Sequence, residues 1–152
     1  MPDSRYTTVN AEAFKEESAI PSLIGVYLPN SITTIEKGAF CGIYTLQHAS
    51  ENYITNHKHT LPNSLTAIGV GAFKARVTEK GSLYLDELPN GLEKIEQDGL
   101  YNAGPNITFK TLPDSLTTVG MAACAFLSNI MAFDNVAEEI PASTNKLTSI
   151  GI

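Results

Sequence analysis

The sequence predicts a repeat solenoid of α/β type, in which short strands alternate with irregular or short helical returns. Two observations carry this reading: a proline-centred string that recurs along the chain, and apolar residues that keep a fixed distance behind each copy. The string LPNS stands at 28–31 and 61–64, with LPNG at 88–91, LPDS at 112–115, IPAS at 140–143 and PDS at 2–4. Pro2, Pro29, Pro62, Pro89, Pro113 and Pro141 belong to it, spaced by 27, 33, 27, 24 and 28 residues. A mean step of about 28 falls inside the roughly 20–50-residue periods of stacked repeats.

The apolar columns behind each proline follow the same step. Ile35, Ile68, Ile95 and Val119 each lie six residues after a proline, and Phe40, Phe73, Leu100 and Cys124 lie five residues further on. Val9 and Phe14 keep the five-residue step in the first coil, and a small residue precedes each large one: Ala13, Ala39, Ala72, Gly99 and Ala123. A side chain that recurs once per coil stacks on its copies above and below, so these columns predict one continuous core. Five unrelated amphipathic segments would have to reproduce proline, aliphatic, small and aromatic positions together by chance.

Between the large apolar column and the next proline lie GVYL at 25–28, SLYL at 82–85 and NITF at 106–109. Their alternation is that of strands. It predicts Val26, Leu28, Leu83, Leu85, Ile107 and Phe109 facing inward, with a turn at the proline and a return through the Ala-Phe position. The proline follows the strand because it has no N–H for the ladder. The same alternation points Tyr27, Tyr84 and Thr108 to solvent, with Tyr53 joining them if Ile54 faces in. Stacking would align them into a stripe, and tyrosine offers large contact area at low conformational cost. Tyr27, Tyr53, Tyr84 and Thr108 are therefore candidate protein-binding residues, against the plainer reading that they are ordinary β-formers shielding the ladder.

The segments LPNSLTAIGVGAF at 61–73, TTIEKGAF at 33–40, TTVG at 117–120 and TSIG at 148–151 resemble the BspA-like, or Treponema-type, leucine-rich repeat. The resemblance covers nearly the whole chain, 1–152, read as a single array of about five coils and part of a sixth. It implies a right-handed curved leucine-rich-repeat solenoid with a strand-lined face. It also implies surface display, adhesion or binding of host extracellular proteins, and no catalytic residues. The chain departs from the family pattern in its longer, uneven repeats, its insertion at 41–60, and the absence of the cysteine that usually closes each repeat. The array opens in mid-repeat at Pro2-Asp3-Ser4 and stops at Ile150-Gly151 without polar caps, which reads as a piece of a longer array or one completed by a partner.

Composition narrows the function classes. With 43% hydrophobic and 17% charged residues the chain is a folding sequence, and ten Lys and Arg against sixteen Asp and Glu leave a net charge of -6. Nucleic-acid grooves need clustered cations, so no nucleic-acid partner is expected. No apolar run reaches the roughly 18 residues of a membrane helix, and the opening MPDSRYTTVNAEAF has no signal-peptide core. Cell-surface or secreted localisation therefore rests on the resemblance alone.

Cys41 and Cys124 fall in the second and fifth coils. With strands about 4.8 Å apart, three steps make roughly 14 Å, twice the ~7 Å Cα limit for a bridge, so both are expected to be free thiols. Cys124 in the large apolar column reads as a small buried hydrophobe. His48, His57 and His59 share the longest inter-repeat segment. His57 and His59 at i, i+2 suit a metal, yet only Glu51 is nearby and zinc wants four ligands, so a polar loop is the better reading and no metal or cofactor is expected. Asn106-Ile107-Thr108 is a glycosylation sequon that overlaps a strand and is treated as incidental. No phosphate-binding, nucleophile-elbow or metal-protease motif occurs. The expected function is a non-catalytic protein-binding module of a cell-surface or secreted protein. The rival is a structural spacer or assembly segment whose coils stack end to end with neighbouring repeats.

Overall fold

The computed structural model describes residues 5–15, 28–42, 61–75, 84–85, 87–104, 106–109, 111–127 and 149–150. They contain eight two-residue strands: β1 (Thr8–Val9), β2 (Thr34–Ile35), β3 (Ala67–Ile68), β4 (Tyr84–Leu85), β5 (Lys94–Ile95), β6 (Asn106–Ile107), β7 (Thr118–Val119) and β8 (Ser149–Ile150). Six form one parallel sheet in the order β1-β2-β3-β5-β7-β8, and β4 pairs with β6 in a second, two-stranded parallel sheet. The register is strict. Thr8, Thr34, Ala67, Lys94, Thr118 and Ser149 make one row, and Val9, Ile35, Ile68, Ile95, Val119 and Ile150 the next.

The main sheet thus lies where the aliphatic column stands, after each proline turn, and not on the alternating stretches before it. SLYL and NITF supply only the small second sheet, and residues 25–27 of GVYL lie outside the described residues. The alternation itself holds there: Leu85, Ile107 and Phe109 are buried and Thr108 is exposed. The returns through the Ala-Phe position are successive turns, with no helix among the described residues.

The recurring proline string is a turn that also ties neighbouring coils. The N–H groups of Ile32, Leu65, Leu92 and Leu116 donate to the carbonyls of Pro29, Pro62, Pro89 and Pro113 at 2.9–3.0 Å. The serine of the string reaches back one coil: Ser31 Oγ donates to the Tyr6 carbonyl (2.7 Å), Ser64 Oγ to Ile32 (2.6 Å) and Ser115 Oγ to Leu92 (2.6 Å). Threonine hydroxyls repeat the device, Thr33 to Thr7, Thr66 to Thr33 and Thr117 to Glu93, across 26, 33 and 24 residues. Unequal repeat lengths are therefore absorbed outside these contacts.

Two backbone ladders run in opposite senses. Beside the sheet each coil donates backward, as from Glu36 to Val9 (2.9 Å), Gly69 to Ile35 (2.8 Å) and Gly120 to Ile95 (2.7 Å). On the returns each coil donates forward, as from Phe14 to Ala39 (2.8 Å), Phe40 to Ala72 (2.8 Å) and Leu100 to Ala123 (2.8 Å). The forward ladder imposes a left-handed residue just before each small one: Glu12, Gly38, Gly71, Asp98 and Ala122, all with φ between 53° and 62°. Only two are glycine; at Glu12 and Asp98 the inter-coil bonds to the Lys37 and Met121 carbonyls hold the turn against an intrinsic cost of about 1 kcal/mol each.

The predicted columns are the core through the middle coils, while at the ends Phe14 is 44% exposed and Val119 half-buried. Ile35, Ile68, Ile95 and Leu100 are fully buried, as are Ala39 and Ala72. Phe14, Phe40 and Phe73 form a continuous stack, ring centroids 5.2 Å apart at each step and planes within 8° of parallel. Leu100 and then Cys124 continue the column.

Candidate functional site

Among the described residues, the outer face of the six-stranded sheet is a regular surface. Val9, Ile35, Ile68 and Ile95 are in the core and Val119 packs against it, so the residue before each faces away: Thr8, Thr34, Ala67, Lys94 and Thr118 stand side by side at one-coil spacing. One position past each aliphatic residue a further row reads Asn10, Glu36, Gly69, Glu96 and Gly120. In the third coil both rows are nearly bare, with Ala67 and Gly69 where the flanking coils carry Thr34 and Glu36 on one side and Lys94 and Glu96 on the other. The result is an open depression of about 280 Å³, at or below the small end of ligand pockets, which run about 300–1,000 Å³. Its volume suits one inserted side chain better than a cofactor.

Gly69 is required there by close approach, since its backbone is not left-handed. A Cβ would lie 2.8 Å from the backbone of Glu36 and Lys37. The depression is thus a consequence of how tightly coils two and three close. On its rim Lys94 Nζ meets Glu96 Oε1 at 2.9 Å, while Glu36 Oε2 accepts the Ala11 N–H at 2.9 Å.

A second cluster lies on the returns. Lys74 Nζ pairs with Asp98 Oδ2 at 2.8 Å and sits 4.8 Å from the Tyr101 ring centroid. Phe126 tilts against Tyr101 at 5.1 Å, adopts φ 61° and is 64% exposed. These contacts bridge coils three, four and five, and read first as an inter-coil clamp.

Of the predicted binding residues, Tyr27 and Tyr53 lie outside the described residues. Tyr84 stands in β4, in register with Asn106 of β6, and Thr108 is exposed just after β6, its N–H donating to the Leu85 carbonyl at 2.8 Å. Tyr84 therefore belongs to the second sheet and Thr108 to its continuation past β6, and neither to the larger strand-lined face. Sequence reasoning missed that face because two-residue strands show no period-two pattern. The signal present was the β-branched Thr before each Ile or Val in TTI and TTV. The three histidines also lie outside the described residues.

Cys41 and Cys124 are both free thiols. Cys124 is half-buried against the core, and that desolvation pushes its thiol up from 9.0 to about 11 by disfavouring the thiolate. Alkylation with iodoacetamide at pH 8 without reductant should therefore label Cys41 and leave Cys124 until the chain is unfolded. Cys124 labelling in the folded chain should climb with pH toward 11. An intramolecular bridge, or equal native rates at pH 8, would contradict the placement of Cys124.

Parallel two-residue strands, one per coil, with serine, threonine and aliphatic residues in stacked columns define a leucine-rich-repeat solenoid. The chain matches the BspA type Leucine rich repeat region in six copies, over residues 7–80 and 47–151, and it belongs to that family. No curated protein and no solved structure matches it at a significant level. Repeats of this family are generally non-catalytic, serve as protein-interaction modules, and occur on surface or secreted proteins. No helix among the described residues is long and apolar enough to cross a membrane.

Proposed function

We propose that this chain is a protein-binding module of a cell-surface or secreted protein, and that it holds its ligand on the outer face of the six-stranded sheet. The observation that carries this reading is the registered outer row from Thr8 to Thr118 with the bare step at Ala67 and Gly69. It offers an extended surface whose shape is set by inter-coil hydrogen bonds, with a recess for a protruding group. Solenoids use such surfaces for extended contacts. Adhesion to host extracellular proteins is the specific form the family suggests.

The test measures binding of the chain to immobilised extracellular-matrix proteins alongside thermal stability. Thr34→Arg with Thr118→Arg should weaken binding about tenfold or more at unchanged melting temperature. Tyr27→Ser with Tyr84→Ser forms the second arm. Lost binding in that arm alone would move the site to Tyr27, Tyr53, Tyr84 and Thr108, of which Tyr84 and Thr108 lie on the β4–β6 side. Binding to no matrix protein would favour the structural spacer or assembly segment.

A further inference from the structure

Resting on that assignment of the sheet face, we propose that the depression over Ala67 and Gly69 receives an arginine side chain of the protein partner. The aliphatic stem would lie on Ala67 and the guanidinium over Gly69, between Glu36 and Glu96. Glu36 and Glu96 stand on the two coils that flank Gly69. At about 4.8 Å per strand their backbones are roughly 10 Å apart, with only glycine backbone between them. A planar cation in that gap approaches both carboxylates. Neither glutamate is consumed by its present contact: Glu36 uses one oxygen on the Ala11 N–H, and Glu96 engages Lys94 through Oε1.

Two lysines border the depression and work against a cation. Lys94 is already held by Glu96 at 2.9 Å, and Lys37 is exposed at the turn side. Glu93 adds an exposed carboxylate beside β5, and the whole chain carries -6, so the long-range field favours a basic partner. Arginine is preferred over lysine because its fork can meet two carboxylates and its head is more weakly hydrated. The apolar floor suits a stem that packs while its head stays polar.

The test uses the whole chain, 15N-labelled, titrated with N-acetyl-arginine amide and followed by amide shifts. N-acetyl-lysine amide and N-acetyl-glutamate amide serve as comparisons. Saturable shifts should centre on Ala67 and Gly69 for arginine, weaker for lysine and absent for glutamate. Glu36→Gln with Glu96→Gln should raise the apparent Kd about threefold to tenfold, whereas Asp114→Asn, on an exposed turn, should leave it unchanged. Shifts spread equally over remote acidic residues, or a Kd indifferent to the double substitution, would overturn the proposal. The two readings fail separately. If Thr34→Arg with Thr118→Arg abolishes matrix binding while arginine does not localise at Gly69, only this inference falls. If arginine localises there while matrix binding ignores the face, the assignment of the ligand surface falls.

Discussion

Phe73→Ala is expected to lower stability by about 3–5 kcal/mol, the usual cost of truncating a buried aromatic. Phe73 is 7% exposed and stacks on Phe40 at 5.2 Å, while its own N–H donates forward to the Gly99 carbonyl at 2.9 Å. Removing the ring opens a cavity in the middle of the column, where collapse from either side would have to break the coil spacing. Phe73→Leu, which copies Leu100 in the next coil, should cost far less, on the order of 1 kcal/mol. Chemical denaturation followed by far-ultraviolet circular dichroism reads both. A midpoint unchanged in the alanine variant would mean that the ring is not part of the core.

The second large effect is expected at Gly120, where two general tendencies have opposite signs. Its backbone is not left-handed, so replacing glycine by alanine would ordinarily stabilise by about 0.4–1 kcal/mol through the unfolded chain. Against this, a Cβ at 120 would lie 2.4 Å from the Gln97 nitrogen and 2.6 Å from the Glu96 carbonyl carbon. These are backbone atoms that cannot rotate away, and relieving the overlap would stretch the Gly120 N–H to Ile95 carbonyl bond of 2.7 Å. Overpacking typically costs about 1–3 kcal/mol and occasionally more, so the clash wins and Gly120→Ala should destabilise. Gly91→Ala is the internal control, because the added carbon there meets only the Asn63 carbonyl oxygen at 3.5 Å. Its denaturation midpoint should stay level or rise. A Gly120→Ala variant as stable as the Gly91→Ala variant would show that the coils are not held this closely.

These two substitutions also separate what a repeat reveals from what it hides. The role of Phe73 follows from its recurrence with Phe40 and Leu100, since large apolar residues stacked in the middle coils have nowhere to go but the core. Gly120 carries no such mark. It follows Val119 as Glu96 follows Ile95 and Gly69 follows Ile68, and only inter-coil distances show why two coils have no side chain there. The same holds for the candidate site, whose depression exists because Ala67 and Gly69 happen to lie between coils bearing Thr34, Glu36, Lys94 and Glu96. The aromatic-bearing stretches drew the sequence reading toward the second sheet because their alternation is four residues long and visible. The main sheet has two-residue strands with no local period to detect.

The sequence by itself determined the repeat, its proline turns, the inward columns and the family, because each depends on residue types recurring at a fixed offset. It also placed the two thiols in different coils, too far apart to bridge. Tertiary structure alone decided which segment of each coil forms the main sheet, because its ladder bonds join residues of different coils, as the Ala67 N–H donates to the Thr33 carbonyl at 3.3 Å. It decided the left-handed turns at Glu12 and Asp98, where forward hydrogen bonding to Lys37 and Met121 overrides side-chain preference. The outer face, with its bare step over Gly69, is likewise a product of stacking: its floor and its walls come from four separate coils.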